Sequence, residues 1–265
     1  DSLKDSLTSF EAGKAIEEGV RKAYGHLPVD IVVKPLADGG EGTVNALVEG
    51  LHGELRQAED HGPLDERVCC PYGYLRESRT AVIEMAGAAG LGLVPEKLRN
   101  PLNTTTYGVG EVISQAMAQG VRNFIVGIGG SATSDCGIGM LQALGYIFSD
   151  ADGHPVGLGG REAGRIAAID DSQVLPAIHE CVFNIACDVT NPLFGRQGAA
   201  YIFGPQKGAV PEIVETLDKG SRSFAAVTAA YLGKDVSQTA GAGAAGGLGF
   251  AFLAYLNGNL RSGIQ

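Results

Sequence analysis

The sequence has no tryptophan, and charged residues fill only 19% of its 265 positions. It also lacks a long apolar run. A membrane helix needs roughly 20 consecutive apolar residues. The longest stretch here, Leu248 to Leu256, is far shorter and contains Tyr255. A spanning helix is therefore excluded. No signal-peptide pattern is read at the start. The opening Asp1-Ser2-Leu3-Lys4, without a Met, reads as the middle of a longer chain. Basic residues are scarce, with 20 Lys+Arg against 30 Asp+Glu and a net charge of −10. That argues against a nucleic-acid or anionic-membrane partner, which wants a basic surface. An anionic ligand would have to be held by local lysines, backbone N–H groups or a metal.

Several catalytic signatures are absent as well. No G-x-x-x-x-G-K-[ST] occurs, which excludes a P-loop. Gly129 to Thr133 fails the G-x-S-x-G nucleophile elbow at its last position. His179-Glu180 lacks the second His of a zincin, because position 183 is Phe. His26, His52, His61 and His154 sit among turn-like residues and read as surface histidines. The cysteines are Cys69, Cys70, Cys136, Cys181 and Cys187. An odd number with no C-x-x-C is neither a disulfide framework nor a zinc pattern. Free thiols in a reducing cytoplasm are expected.

Glycine is what the sequence has in surplus. There are 40, about twice the usual share. They do not recur every third residue, so a collagen-like chain is excluded. With 45% hydrophobic residues, a sizeable core is expected and wholesale disorder is not.

The pattern along the chain alternates helices and strands. Thr8 to Arg21 reads as a helix and Val29 to Val33 as a strand. A Gly loop at 38–42 precedes a helix over Thr43 to Leu51. Leu55 to Tyr74 reads as two strands around Gly62-Pro63, and Thr80 to Glu84 as another strand. Thr106 to Ala118 has helical spacing. Phe124 to Ile128 is a continuous apolar run, the mark of a buried strand. It leads into Gly129-Gly130-Ser131 and a helix over Gly137 to Leu144. Asp150-Ala151-Asp152-Gly153 reads as a hairpin turn, since the EF-hand spacing is missing. Val182 to Cys187 is a further strand. Pro211 opens a helix that runs to Tyr231, with Gly233 as its stop. A Gly-Ala loop over Gly241 to Gly249 leads into an apolar helix ending near Leu256. The fold class is α/β.

Acidic residues follow the strand-like runs. Asp38 and Glu41 follow Val29–Val33, Asp135 follows Phe124–Ile128, and Asp188 follows Val182–Cys187. In α/β sheets ligands bind beyond the carboxyl ends of strands. Carboxylates there hold Mg²⁺ or orient a hydroxyl, and glycines let backbone N–H groups reach phosphate oxygens. Lys4 and Lys207 lie in similar contexts. The run Gly241 to Gly246 also matches G-x-G-x-x-G, but polar residues precede it where a Rossmann fingerprint needs a buried strand. Its glycines serve either close packing at a helix start or a phosphate-facing nest.

Seven blocks, in order, resemble the glycerate kinases of the bacterial class that includes the glycerate 2-kinases. They are Asp1 to Leu7, Ala37 to Thr43, Ile83 to Ala86 with Tyr107 to Glu111, Ile128 to Asp135, Ala186 to Leu193, Phe203 to Ala209, and Gly241 to Gly249. Departures are small: Ser134 replaces the family's Asn, Cys136 its Gly, and Leu158 interrupts a glycine stretch. The family's first strand and its G-E-G-R-x-D segment are missing from this sequence.

The resemblance implies phosphorylation of D-glycerate by ATP with Mg²⁺. It also implies a flavodoxin-like domain formed from both chain ends, with a second α/β domain inserted. That places residues 1–58 in the first domain, 59–239 in the insert, and 240–265 in the return. Under this reading Lys4 and Lys207 supply positive charge. Asp38 orients the attacking hydroxyl, and Asp188 holds Mg²⁺ or acts as base. Gly129, Gly130, Ser131 and Thr133 cradle phosphate, and Gly241, Gly243, Gly246 and Gly247 form a second nest. Two rivals stay open: an oxidoreductase binding a dinucleotide at Gly241–Gly246, and a non-catalytic binding module. Of the 40 glycines, 17 fall within the four loops at 39–42, 127–139, 195–208 and 241–249.

Overall fold

The structure, a computed structural model, describes residue 7 and residues 9–33 and 42–262. Lys4 and Asp38 lie outside the described residues. In chain order the elements are α1 (Ser9–Tyr24), α2 (Thr43–Gly50), β1 (Glu54–His61), β2 (Arg67–Leu75), β3 (Thr80–Glu84), α3 (Ala86–Ala89), α4 (Tyr107–Ala118), β4 (Asn123–Gly127), α5 (Ile138–Ala143), β5 (Ile147–Ser149), β6 (Ala168–Asp170), β7 (Val182–Ala186), α6 (Ala199–Phe203), α7 (Pro211–Leu232), α8 (Leu248–Tyr255) and β8 (Asn259–Arg261).

Six strands form one mixed sheet in the order β1-β2-β3-β4-β7-β8, and β5 and β6 form a separate pair. The β1–β2 and β2–β3 pairings are antiparallel, whereas β3, β4, β7 and β8 run parallel. The central parallel strands β3 and β4 are covered on both faces and read accordingly. In β3, Thr80, Ala81, Val82 and Ile83 are all buried. One face carries α2. Gly73 on β2 makes room for it, since a Cβ there would lie 2.5 Å from Val48. The other face holds the main core with α4. Phe124 of β4 stacks on Phe183 of β7 with ring centres 4.9 Å apart, and Phe252 of α8 closes over Phe183. Phe148, Phe224, Phe250 and Tyr255 extend this layer.

The strong periodic segments lie where the spacing predicts them. β3 matches its expected bounds, α7 ends at Gly233 with φ +69°, and the Asp150 turn closes as a hairpin. There Asp150 accepts N–H bonds from Asp152 and His154 and pairs with Arg165, so its carboxylate serves the turn. Val29–Val33 is a correction. It joins no ladder among the described residues. β-branched composition makes a segment able to be a strand, but a ladder needs a neighbour. His61 is a second correction, because it is half-buried, with Nδ1 2.9 Å from Glu111 and its ring edge-on to Tyr107. All five cysteines are free. Among the described residues no helix is long and apolar enough to cross a membrane.

Candidate active site

The parallel strands β3, β4 and β7 end on one edge of the sheet, and a cavity of about 460 Å³ opens there. Its floor is Gly129, Gly130 and Ser131, where the chain leaves β4. Gly130 has φ +70°, and its carbonyl accepts the Leu91 amide. The segment after α3 is thereby tied to the floor and places Leu91 in the wall. Asp188 stands at the end of β7, and Phe203, Gln206 and Lys207 come from α6 and the short turn after it.

Lys207 is 2% exposed, yet it lines this cavity. Its ammonium donates to Ser131 Oγ at 2.7 Å and to the Thr133 carbonyl at 2.5 Å. Burial pulls it down to about 7, against the opposing pull of the Asp135 charge. A buried cation over a glycine floor is suited to oxyanions. Thr133 Oγ and Ser134 Oγ are buried without a hydrogen-bond partner among the described residues. Thr133 thus contributes its carbonyl to Lys207 and is not part of the cavity wall.

Asp188 is exposed, and its carboxylate accepts the Ser262 hydroxyl at 3.0 Å. Beside it, Cys187 also lines the cavity. Burial pushes that thiol up, so it is not a poised nucleophile.

The Gly241–Gly249 loop approaches differently from the floor. Ala244 and Ala245 are the residues that reach the cavity. The glycines lie against backbone behind it. A Cβ on Gly243 would sit 2.2 Å from the Pro192 carbonyl, and one on Gly246 2.0 Å from that of Thr133. Gly247 packs on Cys136, and Gly241 on Leu260 and Cys187. No strand precedes this loop, because residues 237–240 form turns. The dinucleotide fingerprint therefore lacks its context.

Asp135, one of the acidic loop residues, is also corrected. It is fully buried and structural. It accepts N–H bonds from Thr106, Gly137 and Gly139, and the Thr106 hydroxyl. It joins the N-termini of α4 and α5, whose dipoles favour a carboxylate. Burial pushes its carboxyl up, and those donors pull it back. Next to it, Cys136 adopts φ +56°, the left-handed region that favours glycine, and its thiol meets Ser221 Oγ on α7.

Two further residues lie in matched blocks, but their roles could not be read from the sequence. Glu84, at the end of β3, accepts the Val44 amide in the first turn of α2. Phe203 opens a matched block, but nothing in the sequence placed its ring in the cavity wall.

A model of the glycerate kinase family matches residues 1–265. The chain belongs to the glycerate kinase family. It is 48% identical to the Haemophilus influenzae glycerate kinase, over all of this chain and 70% of that protein. It is 47% identical to the Escherichia coli K12 glycerate 2-kinase, over all of this chain and 69% of that protein. A crystal structure named as a glycerate kinase 2 from Salmonella typhimurium LT2 superposes with a TM-score of 0.92 at 47% identity. That match covers 99% of this chain and 70% of the other. The mixed α/β sheet is thus the fold of a solved family member. Within this glycerate kinase, Gly129, Gly130, Ser131, Asp188 and Lys207 converge on one cavity.

Proposed function

We propose that the chain transfers the γ-phosphoryl group of ATP to the 2-hydroxyl of D-glycerate. Glycerate phosphorylation is the activity of the family to which it belongs. The 2-position is supported by the 47% identity to a glycerate 2-kinase. The observation that carries the reading is a buried lysine and a glycine floor facing an exposed carboxylate across one cavity.

Phosphoryl transfer depends on positioning and charge neutralisation more than on covalent chemistry. The attacking hydroxyl oxygen forms a bond to phosphorus while the bond to the β-phosphate oxygen breaks, releasing ADP. In our reading Asp38 orients that hydroxyl, and its proton passes to Asp188 or, where Asp188 holds the ion, to water. Lys4 faces the substrate or phosphate charge. Lys207 neutralises charge developing on the transferred group, and the N–H groups of Gly129, Gly130 and Ser131 meet phosphate oxygens. A single exposed carboxylate fits Mg²⁺, which takes hard oxygen ligands from one or two carboxylates, phosphates and waters. Asp188 is such a donor, and the ion it would hold supplies charge neutralisation at the phosphates. Thr133 supports the floor through Lys207. Gly241, Gly243, Gly246 and Gly247 shape the loop that brings Ala244 and Ala245 to the cavity.

The two-domain arrangement belongs to the same proposal. The first domain takes residues 1–58 and the return from about 240, around the insert. One sheet crosses both proposed boundaries, because β1 begins at Glu54 and β8, in the return, pairs with β7. A cytoplasmic location accords with five free cysteines and with ATP as donor.

A coupled assay for ADP with ATP and D-glycerate tests the reading, with product analysis separating 2- from 3-phosphoglycerate. No glycerate-dependent ADP release would sink the kinase reading and favour a binding module. Release of 3-phosphoglycerate would overturn the regiochemistry alone.

A further inference from the structure

Three arginines among the described residues are half-buried: Arg56, Arg99 and Arg122. Two of them have carboxylate partners. Arg56 pairs with Glu54 at 3.0 Å, and Arg122 with Glu180 at 2.9 Å. Arg99 has no such partner among the described residues. Its Nε is closed to solvent and makes no hydrogen bond. A guanidinium carries five donors in a fixed fork and stays charged. Nε is the one guanidinium nitrogen that is closed, so the terminal fork stays open to meet an anion.

The position of Arg99 suggests which anion. Its segment begins at Leu91, in the cavity wall, and continues through two short turns to Arg99. Its backbone lies on Gly208, the residue after Lys207. A Cβ on Gly208 would be 2.2 Å from the Arg99 carbonyl oxygen and 3.0 Å from the Arg99 Cβ. Gly208 has φ +90°, so the turn carrying Lys207 and the base of Arg99 are fitted together backbone to backbone. Lys207 already donates to Ser131 and Thr133. A ligand pair as anionic as ATP and glycerate, in a chain of net charge −10, needs a further local cation.

We propose that Arg99 is a ligand-binding residue of this site, taking an oxyanion of the bound ligand, carboxylate or phosphate, through its guanidinium fork. The proposal rests on the glycerate kinase reading for the identity of the ligands, but not for the presence of an oxyanion seat. Arg fits this task because two parallel N–H bonds match two oxygens of one carboxylate or phosphate.

Isothermal titration of D-glycerate, of a non-hydrolysable ATP analogue, and of pyrophosphate tests it without turnover. The proteins are wild type, Arg99→Met and Arg99→Lys, with folding checked by thermal melting. Arg99→Met is expected to weaken one ligand by about 10- to 100-fold, the range for losing a charge-assisted pair. Arg99→Lys keeps the charge without the fork and is expected to fall between. Weakening confined to glycerate assigns the carboxylate, and weakening confined to the analogue assigns a phosphate. If wild type binds neither ligand but binds pyrophosphate in an Arg99-dependent way, the kinase reading fails and the oxyanion seat stands. Unchanged affinities for every ligand in a folded Arg99→Met, or in Arg99→Lys should Arg99→Met not fold, overturn the proposal.

Discussion

Asp60 lies on β1 with no exposed surface, and neither carboxylate oxygen has a well-formed hydrogen bond, the Cys70 amide acting on it only weakly. Its Oδ2 faces Gly108 in the first turn of α4 so closely that a Cβ there would sit 2.8 Å away. Burial, and then the neighbouring Glu111 charge, push its carboxyl up to about 7 from 3.8; the Cys70 amide and His61 offset this in part. Glu111 is itself held by the His61 amide and ring. The folded value lies above the unfolded one, so the unfolded chain binds fewer protons between them. The stability contributed by protonated Asp60 is full below about pH 4 and is lost as pH rises through about 7. Three units correspond to about 4 kcal/mol as an upper limit. Effective screening near a strand edge reduces that to roughly 2 kcal/mol. Asp60→Asn keeps the shape and removes the charge. It should stabilise the protein by about 2 kcal/mol at pH 8 and by much less at pH 5. Urea unfolding followed by far-ultraviolet circular dichroism at both pH values reads this directly. A gain independent of pH, or a loss at pH 8, would refute the reasoning.

Lys207→Met should lower kcat/KM by about 100-fold or more while leaving the fold intact, because burying a methionine costs less than burying an ammonium. Wild-type stability should rise between pH 7 and 10, where unfolded lysine still binds a proton and Lys207 does not; urea titrations should lose that rise in the variant. Gly246→Ala should destabilise by about 3 kcal/mol or more, since φ is +67° and the new Cβ meets backbone atoms of Thr133 and Ser134; thermal unfolding measures it. Asp188→Asn should cut turnover by about 100-fold and raise the Mg²⁺ needed for half-maximal rate, with the melting temperature unchanged. Near-normal turnover at ordinary Mg²⁺ would remove Asp188 from the mechanism.

β3, β4 and β7 were legible because each is a short run dominated by β-branched and aromatic apolar residues, and β3 and β4 are buried along most of their length. β6 and β8 were not. Each has three residues, and two of those three are exposed, so neither run nor alternation marks them. Their pairing comes from what lies beside them. Tyr201–Phe203 resembles a strand by composition but lies in α6, following Gly198 and two alanines. At the site, Asp188 stood out because it follows a strand-like run, and Lys207 because it sits in a Gly-Pro loop. The burial of Lys207 was invisible, because it depends on Ser131 and Thr133, more than 70 positions away. Arg99 and Asp60 went unread for the same reason. What distinguishes them is the absence of a partner, and a partner's absence is visible only in three dimensions.

The loops at 131–137 and 241–247 meet with almost no side chain between them. The Cys136 amide donates to the Gly246 carbonyl at 3.0 Å, and Gly246 and Gly247 lie directly on the Thr133–Cys136 backbone. A surface made of interlocked main chain has few rotors left to freeze. The entropy of ordering this part of the site is spent when the chain folds, before any ligand arrives. Association at the cavity, backed by this interlocked main chain, should therefore show little loss of side-chain motion behind the floor, with affinity governed by dissociation rate and by the charges the ligand brings.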